Sequence, residues 1–199
     1  MDPVWLDHYP PGVPTDCVVG EDETLIQAFE AAVAKWPANP AFSNLGHTLT
    51  FADTDRLSRL FAAYMQNELG LKQGDRVALM MPNILQYPVA LFGCLRAGLI
   101  IVNVNPLYTP RELKHQLEDS GAIMMVVFAS SAHVLADVIA ESAIKHVLVT
   151  EVGDLLPAPK RWLVNFVVKH VRRMIPNYRL PAAKNFRAIF AASSTGYTR

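Results

Sequence analysis

The sequence predicts an α/β fold in which a parallel sheet of at least four strands is flanked by helices. Three short apolar runs, each closed by a chain-breaking residue, predict strands at residues 77–81, 99–104 and 123–128. Near-continuous apolar strands are buried on both faces, as in a parallel sheet covered by helices. Segments with helical spacing separate these runs, so we expect a β-α-β-α-β order with right-handed crossovers. A fourth strand is predicted at residues 146–149.

Local signals set the ends of the helices. Thr109, Pro110 and Glu112 form a capping box with proline at the first helical position. Gly98 and Gly121 stand where a helix ends on a left-handed residue. Further capping boxes are predicted for Thr24 with Gln27 and for Thr50 with Asp53. We expect the helix after the first strand to bury a face that contains Ile84, Tyr87, Leu91 and Leu95.

A helix–hairpin–helix unit precedes the sheet. Its first helix, residues 24–35, has an apolar stripe made of Leu25, Phe29, Ala32 and Trp36. Strands at residues 41–45 and 48–51, joined by Gly46-His47, predict a hairpin with a two-residue turn. A second helix follows, to about residue 69.

We expect three regions along the chain. Residues 1–23 are rich in proline and predict an extended arm that packs Trp5 and Tyr9 onto the body. Residues 24–150 form the α/β sub-domain. Residues 151–199 contain a basic amphipathic helix, which is followed by a short helix at 185–192 and a tail.

Composition excludes several classes of protein. Lys plus Arg and Asp plus Glu each total 18, and this net charge of zero argues against a general nucleic-acid binder. Cys17 and Cys94 are far apart, and the histidines lack ligand spacing, so we expect neither a disulfide nor a metal site. The acidic, proline-rich N-terminus does not have the pattern of a signal peptide. These features predict a protein of the reducing cytoplasm.

One string carries a resemblance to a known family. It reads MPNxxQYPVALFGCLRAGLIIVNVNPLYTPRELKHQLEDSGA from Met81 onward, and the PNxxQY, RAG and VNPLYTPREL segments are its specific part. It resembles the N-terminal domain of adenylate-forming, acyl-activating enzymes, and bacterial long-chain fatty-acid–CoA ligases most of all. The similarity extends over about residues 5–190.

The resemblance implies that the intact family members are ligases. It also implies that this chain by itself is inactive. Such ligases use ATP, magnesium, a fatty acid and CoA to make acyl-CoA through an acyl-adenylate. In the resembled family the phosphate loop, the adenine-binding segments and the mobile lid follow the region that this chain covers. The run at residues 193–199 has a Ser-Thr-Gly core, but it lacks a leading glycine, and Arg199 replaces the lysine. We therefore assign no catalytic residue, and we do not expect ATP, magnesium or CoA to bind this chain well.

Two alternatives to a fragment of a long-chain ligase stay open. In the first, the chain is a non-catalytic module that dimerises, binds a membrane or pairs with an intact ligase. In the second, the parent enzyme is another acyl-activating ligase, because chain-length preference depends mainly on residues outside this segment.

Polar residues at the predicted strand ends are candidates for a substrate cleft. Parallel strands share one carboxyl edge, where open α/β folds bind ligands. The candidates at or near this edge are Asn83, Tyr87, Asn103, Asn105, Tyr108 and Ser130. The alternative is structural: Asn and Ser cap helices and close turns, and the two tyrosines pack.

The segment at residues 160–175 predicts a basic amphipathic helix. Its candidate membrane-surface residues are Lys160, Arg161, Lys169, Arg172 and Arg173, and its apolar residues Trp162, Phe166, Val167, Val171 and Met174 are expected to face the other way. Such a helix binds an anionic membrane, here the inner face of the cell membrane. Alternatively, it is a surface helix whose apolar face packs on the sheet or on another domain.

Overall fold

The computed structural model describes residues 4–16, 24–191 and 196–197. The helices are α1 (Leu25–Lys35), α2 (Phe51–Ala63), α3 (Gln86–Arg96), α4 (Pro110–Ser120), α5 (Ala132–Val138) and α6 (Lys160–Phe166). The strands are β1 (Pro40–Asn44), β2 (His47–Thr50), β3 (Arg76–Met80), β4 (Ile100–Asn103), β5 (Met124–Phe128), β6 (His146–Thr150) and β7 (Lys184–Asn185). Short π-helical turns continue α2 (Tyr64–Glu68) and α6 (Val167–Val171), and 3-10 turns lie at Leu6–His8, Ala129–Ser131, Ile139–Glu141 and Phe186–Ala191.

The main sheet is parallel, as predicted, and its strand order is β4-β3-β5-β6-β7. β1 and β2 form a separate antiparallel hairpin. The strand β7 was not predicted, because its two exposed residues, Lys184 and Asn185, give no apolar signal. The helix predicted at residues 185–192 is instead a 3-10 turn that follows this strand.

Helices cover both faces of the sheet, so alternate residues of β3 enter different cores. Val77 and Leu79 pack in the core that α2 and α3 share, where Phe61 is fully buried. Ala78 and Met80 pack in the opposite core with residues of α4 and α5. A strand buried on both sides is near-continuously apolar, which is why the sequence reveals β3 so clearly.

The local capping predictions are confirmed. The amide of Gln27 donates to the Thr24 hydroxyl at 3.3 Å, and the same reciprocal boxes form at Thr50 and Thr109. Gly98 and Gly121 have φ values of +70° and +61°. The hairpin turn lies one residue earlier than predicted, at Leu45-Gly46, where both residues have positive φ, as a type I′ turn requires.

Two predictions about the N-terminal region are wrong. Trp5 and Tyr9 are 55% and 42% exposed, so neither is packed against the body. In α1, Phe29 is buried, but Leu25 and Trp36 at the ends of the predicted stripe are exposed. Helical spacing identified an apolar stripe, and α1 packs through its central residue Phe29, whose ring stacks on Phe92 of α3 with centroids 3.7 Å apart.

The prediction for α3 named the less buried face. Tyr87, Leu91 and Leu95 are half-buried, and the most buried positions lie between them because α3 is enclosed by α2 and the sheet. A Cβ atom at Gly93 would lie 2.6 Å from Cδ1 of Phe61, so α2 and α3 approach closely at this glycine.

The fully buried guanidinium of Arg96 connects the three helices of one face. It donates from Nη1 to Glu30 Oε1 of α1 at 2.6 Å and from Nε to Ser58 Oγ of α2 at 3.0 Å. It also pairs with Asp55 of α2, and Nη1 lies 2.8 Å from the Tyr197 hydroxyl. A buried charge needs such partners, because its desolvation is otherwise uncompensated.

Replacing Arg96 with methionine tests this network. Arg96→Met leaves two carboxylates without their buried partner, and we expect a loss of about 3–5 kcal/mol in the free energy of unfolding. Urea denaturation followed by circular dichroism measures it. The matched change Arg111→Met, at an exposed arginine of α4, should stay within about 0.5 kcal/mol. Equal effects of the two substitutions would contradict the role given to Arg96.

Candidate functional site

The strand order puts a topological switch point between β3 and β5, at the carboxyl edge of the sheet. From β3 the chain passes through α3 to β4 on one side, and from β5 it passes through α5 to β6 on the other. Neighbouring strands whose connections diverge in this way form the crevice where open α/β sheets bind ligands. Met80 pairs with Val127, and the candidates Asn83 and Ser130 lie at equal distances along the chain beyond this pair. The topology thus brings these two candidates to one edge.

Asn83 and Tyr87 also line a cleft between the hairpin and the start of α3. The cleft measures about 470 Å³. Its walls are mainly apolar and come from Phe42, Ile84, Leu85, Pro88, Leu91 and Phe92, while Ser43 and Asn44 add polar atoms. The Tyr87 hydroxyl lies 3.0 Å from Asn103 Oδ1, to which it donates. Three of the six cleft candidates are therefore neighbours.

The other three candidates lie apart from this cleft. Asn105 Oδ1 accepts from the Leu107 amide at 3.0 Å, which closes an Asx turn and fits the structural interpretation. Tyr108 lines a shallow depression along α4. Ser130 is half-buried in the 3-10 turn after β5.

A polar cluster at the end of β6 was missed at the sequence level. Gln86 is fully buried, its Nε2 donates to the Glu151 carbonyl at 2.7 Å, and its Oε1 has no partner within the described part of the chain. Asp154 Oδ2 accepts from the Glu151 amide at 2.9 Å and from the Thr150 hydroxyl at 3.2 Å. The strand-end rule that selected Asn83 applies equally to Glu151, which directly follows β6.

Burial changes the acidity of this cluster. It raises the pKa of Asp154 above its ordinary value, although the hydrogen bonds from Glu151 and Thr150 oppose the change. The pKa of Glu151 is raised by burial and by the nearby Asp154 carboxylate. Perturbed carboxylates occur in functional sites and in structural networks alike. Here Asp154 also contacts α6, because Asn165 Nδ2 donates to its Oδ1 at 3.3 Å.

Cys94 lies inside the core, as predicted, and burial raises the pKa of its thiol. A thiol that stays protonated is a poor nucleophile. Across the described ranges, no group of three or more His, Cys, Asp or Glu side chains is arranged to hold a metal ion. The possible phosphate-loop run includes residues 193–195, 198 and 199, which lie outside the described residues.

The basic segment differs from its predicted form. Lys160, Lys169, Arg172 and Arg173 are exposed and Arg161 is half-buried, but Trp162, Phe166, Val171 and Met174 are also 58–64% exposed. The interpretation in which this apolar face packs on the sheet is therefore wrong. The helix contacts the body through Val164 and through Asn165, whose Oδ1 accepts from the Gly153 amide at 2.8 Å. Within the described ranges, no helix has the length and hydropathy needed to cross a bilayer.

Comparison with known proteins places the chain in a family. Its sequence matches the AMP-binding enzymes over residues 29–190. The chain belongs to the AMP-binding enzyme family. Long-chain-fatty-acid–CoA ligases of Escherichia coli O157:H7 and Haemophilus influenzae are 55% and 51% identical to it over 94% and 96% of the chain. The chain spans 34% of the length of each of these relatives.

Solved structures of CoA ligases share its fold. A putative long-chain-fatty-acid CoA ligase from Rhodopseudomonas palustris superposes with a TM-score of 0.66 at 22% identity, over 89% of this chain and 38% of its own. An anthranilate CoA ligase in complex with anthranoyl-AMP gives 0.69 at 15% identity, over 87% and 29%. Both likenesses concern the fold alone, and they agree with the predicted α/β class.

Two asparagine substitutions separate the structural from the functional interpretation of the edge. Asn105→Ala removes the acceptor of the Asx turn, and we expect a loss of about 1 kcal/mol in unfolding free energy. Asn83 is exposed and has no described hydrogen bond, so Asn83→Ala should change stability by less than about 0.5 kcal/mol. Urea denaturation of both variants measures the difference. A larger loss for Asn83→Ala would make Asn83 a structural residue.

Proposed function

We propose that this chain is the N-terminal α/β sub-domain of a long-chain fatty-acid–CoA ligase. Such a ligase joins a fatty acid to AMP with release of pyrophosphate and then transfers the acyl group to CoA. The observation that carries the proposal is the 55% identity to the Escherichia coli ligase over 188 residues. Identity at this level, over nearly the whole chain, favours the same role in the same kind of enzyme.

Within that enzyme, the chain's own residues would shape and orient rather than react. The cleft beside Asn83 and Tyr87 is apolar with a few polar atoms at its rim, which is the usual composition of a site for an apolar substrate. The hydrogen bond from Tyr87 to Asn103 would fix the tyrosine ring as one wall of this cleft. The apolar lining would exclude water from whatever it contacts.

We assign no step of ATP chemistry to these residues. Magnesium and a phosphate loop supply charge neutralisation at the triphosphate in adenylate-forming chemistry. The sequence contains no glycine-rich loop that ends in lysine. The described residues also do not form a carboxylate set that fits a metal ion.

A chimera tests the proposal. The chain replaces the matching third of the Escherichia coli ligase, and we expect palmitoyl-CoA formation within about tenfold of the parent rate. The 199-residue chain alone should give no ATP–pyrophosphate exchange. The Escherichia coli remainder without the replaced segment is the control and should be inactive. A chimera that folds, as judged by circular dichroism, but makes no acyl-CoA would contradict the proposal.

A second role is favoured by the surface of α6 and its π-helical continuation. Exposed Trp162, Leu163 and Phe166 lie there between cationic pairs at either end of the segment, and the Arg161 guanidinium lies 5.3 Å from the Trp162 ring centroid. Interfacial helices combine apolar side chains that enter the headgroup region with cations that meet anionic lipid. We propose that this surface contacts an anionic membrane peripherally.

Co-sedimentation with vesicles containing phosphatidylglycerol measures this contact. The triple variant Lys169→Gln, Arg172→Gln, Arg173→Gln should bind about a hundredfold more weakly, because each cation near the surface contributes about 1 kcal/mol. The control Lys35→Gln, Lys72→Gln, Arg111→Gln removes the same charge from exposed positions elsewhere. If the control loses as much binding as the triple variant, net charge rather than this surface is responsible.

A further inference from the structure

A second cleft is lined by β2 of the hairpin, whereas the candidate site is lined by β1. It is an open cleft of about 300 Å³, lined by residues of β2, the first turns of α2, Leu155 and the 3-10 turn Phe186–Ala191. Leu49, Leu57 and Phe190 form its apolar walls. Arg56, Arg187 and His47 bring cationic or proton-binding groups to the same space.

Arg187 has fewer partners than a half-buried guanidinium usually finds. Its Nη1 donates to the Asp154 carbonyl at 2.8 Å, and its Cζ lies 5.0 Å from the Phe190 ring centroid. No carboxylate of the described residues forms an ion pair with it. Burial lowers the pKa of Arg187 and the nearby Arg161 lowers it further, while the Asp154 carboxylate partly opposes both effects. Five N–H groups in a fixed fork can bind an oxyanion in two places at once, so the remaining donors suit an anionic group.

The one carboxylate in the cleft does not neutralise this charge. Asp53 Oδ2 accepts from the Thr50 amide at 3.2 Å and from the Thr50 hydroxyl at 2.7 Å, as the cap of α2. The Arg56 guanidinium is 3.8 Å from the other carboxylate oxygen, and its side chain is 62% exposed. Arg56 is therefore loosely held and lies at the mouth of the cleft, where it can turn to a ligand.

The surrounding sequence strengthens the positive charge. No Asp or Glu occurs after Asp154, so Arg161 and Arg187 belong to a stretch of 45 residues without an acidic side chain. Anions are drawn to such a region, because the field of several cations adds over short distances.

We propose that this cleft binds a small amphiphilic oxyanion, with one phosphate or carboxylate group held by Arg187 and Arg56 and a compact apolar body against Leu49, Leu57 and Phe190. Arginine pairs recognise both kinds of oxyanion in bidentate geometry. The volume is at the lower end for small-molecule sites, which limits the body to about the size of one aromatic ring. This site is separate from the Asn83–Tyr87 cleft and does not depend on the proposed ligase role.

The site is tested by titrating the 199-residue chain, observed by ¹H–¹⁵N NMR, with phenyl phosphate, benzoate, inorganic phosphate and neutral benzyl alcohol. We expect saturable shifts at residues that line the cleft for phenyl phosphate or benzoate, weaker binding of inorganic phosphate, and none of benzyl alcohol. Whichever of the first two binds more tightly identifies the head group as phosphate or carboxylate. Equal binding of benzyl alcohol, or no saturable shift with either anion, would overturn the proposal.

Three matched variants locate the binding. Arg187→Gln should weaken it at least about tenfold and Arg56→Gln several-fold, since each loses a charge-assisted hydrogen bond. Arg179→Gln removes an exposed arginine from the same acid-free stretch and should bind as the parent does. If Arg187→Gln fails to fold, the binding measured for Arg56→Gln still tests the site, because Arg56 is exposed and its substitution removes no described core contact. Equal losses for Arg179→Gln and Arg56→Gln would show that binding is non-specific and would refute the site.

Discussion

A guanidinium closed off from water needs acceptors for its N–H groups, and Arg96 finds them on two other helices. Glu30 of α1 and Asp55 of α2 approach it from different sides, and Ser58 accepts from its Nε. Because Arg96 ends α3, this network fixes the far end of the helix that begins beside the hairpin cleft. The position of Tyr87, at the other end of α3, thus depends on a charge cluster that contributes nothing to the cleft itself.

The steric contact between α2 and α3 acts together with this electrostatic one. Gly93 lies one turn before Arg96 and admits the Phe61 ring. An arginine alone would allow the helices to slide, and a close contact alone would leave the charge uncompensated. Together they leave one arrangement of the three helices on this face of the sheet, and the hairpin packs beside it.

Sequence patterns correctly predicted the features that depend only on residues close together in the chain. The strands at β3, β5 and β6, the capping boxes and the helix stops at Gly98 and Gly121 all arise within a few residues. The exposure of Leu25 and Trp36 was not predicted, and the choice between a packed and an exposed Trp162 stayed open, because their burial depends on which other elements reach them. The position of Asn83 and Ser130 at one edge of the sheet followed from parallel topology. The hairpin wall of the cleft and the buried Gln86 could not be predicted, since no sequence pattern fixes how the hairpin docks on α3.

The residues that attach α6 to the body differ from the residues that form its exposed surface. A Cβ atom at Gly153 would lie 2.5 Å from Asn165 Oδ1 and 3.0 Å from the Arg161 carbonyl, so the helix rests directly on glycine backbone. A side chain at position 153 would therefore displace either the Asn165 side chain, with loss of its hydrogen bond to the Gly153 amide, or the first turn of α6. Conversely, the outer residues can be replaced without disturbing the joint. Gly153 and Asn165 thus attach α6, whereas Trp162, Leu163 and Phe166 determine its exposed surface, so substitutions at these three positions alter that surface and leave the attachment in place.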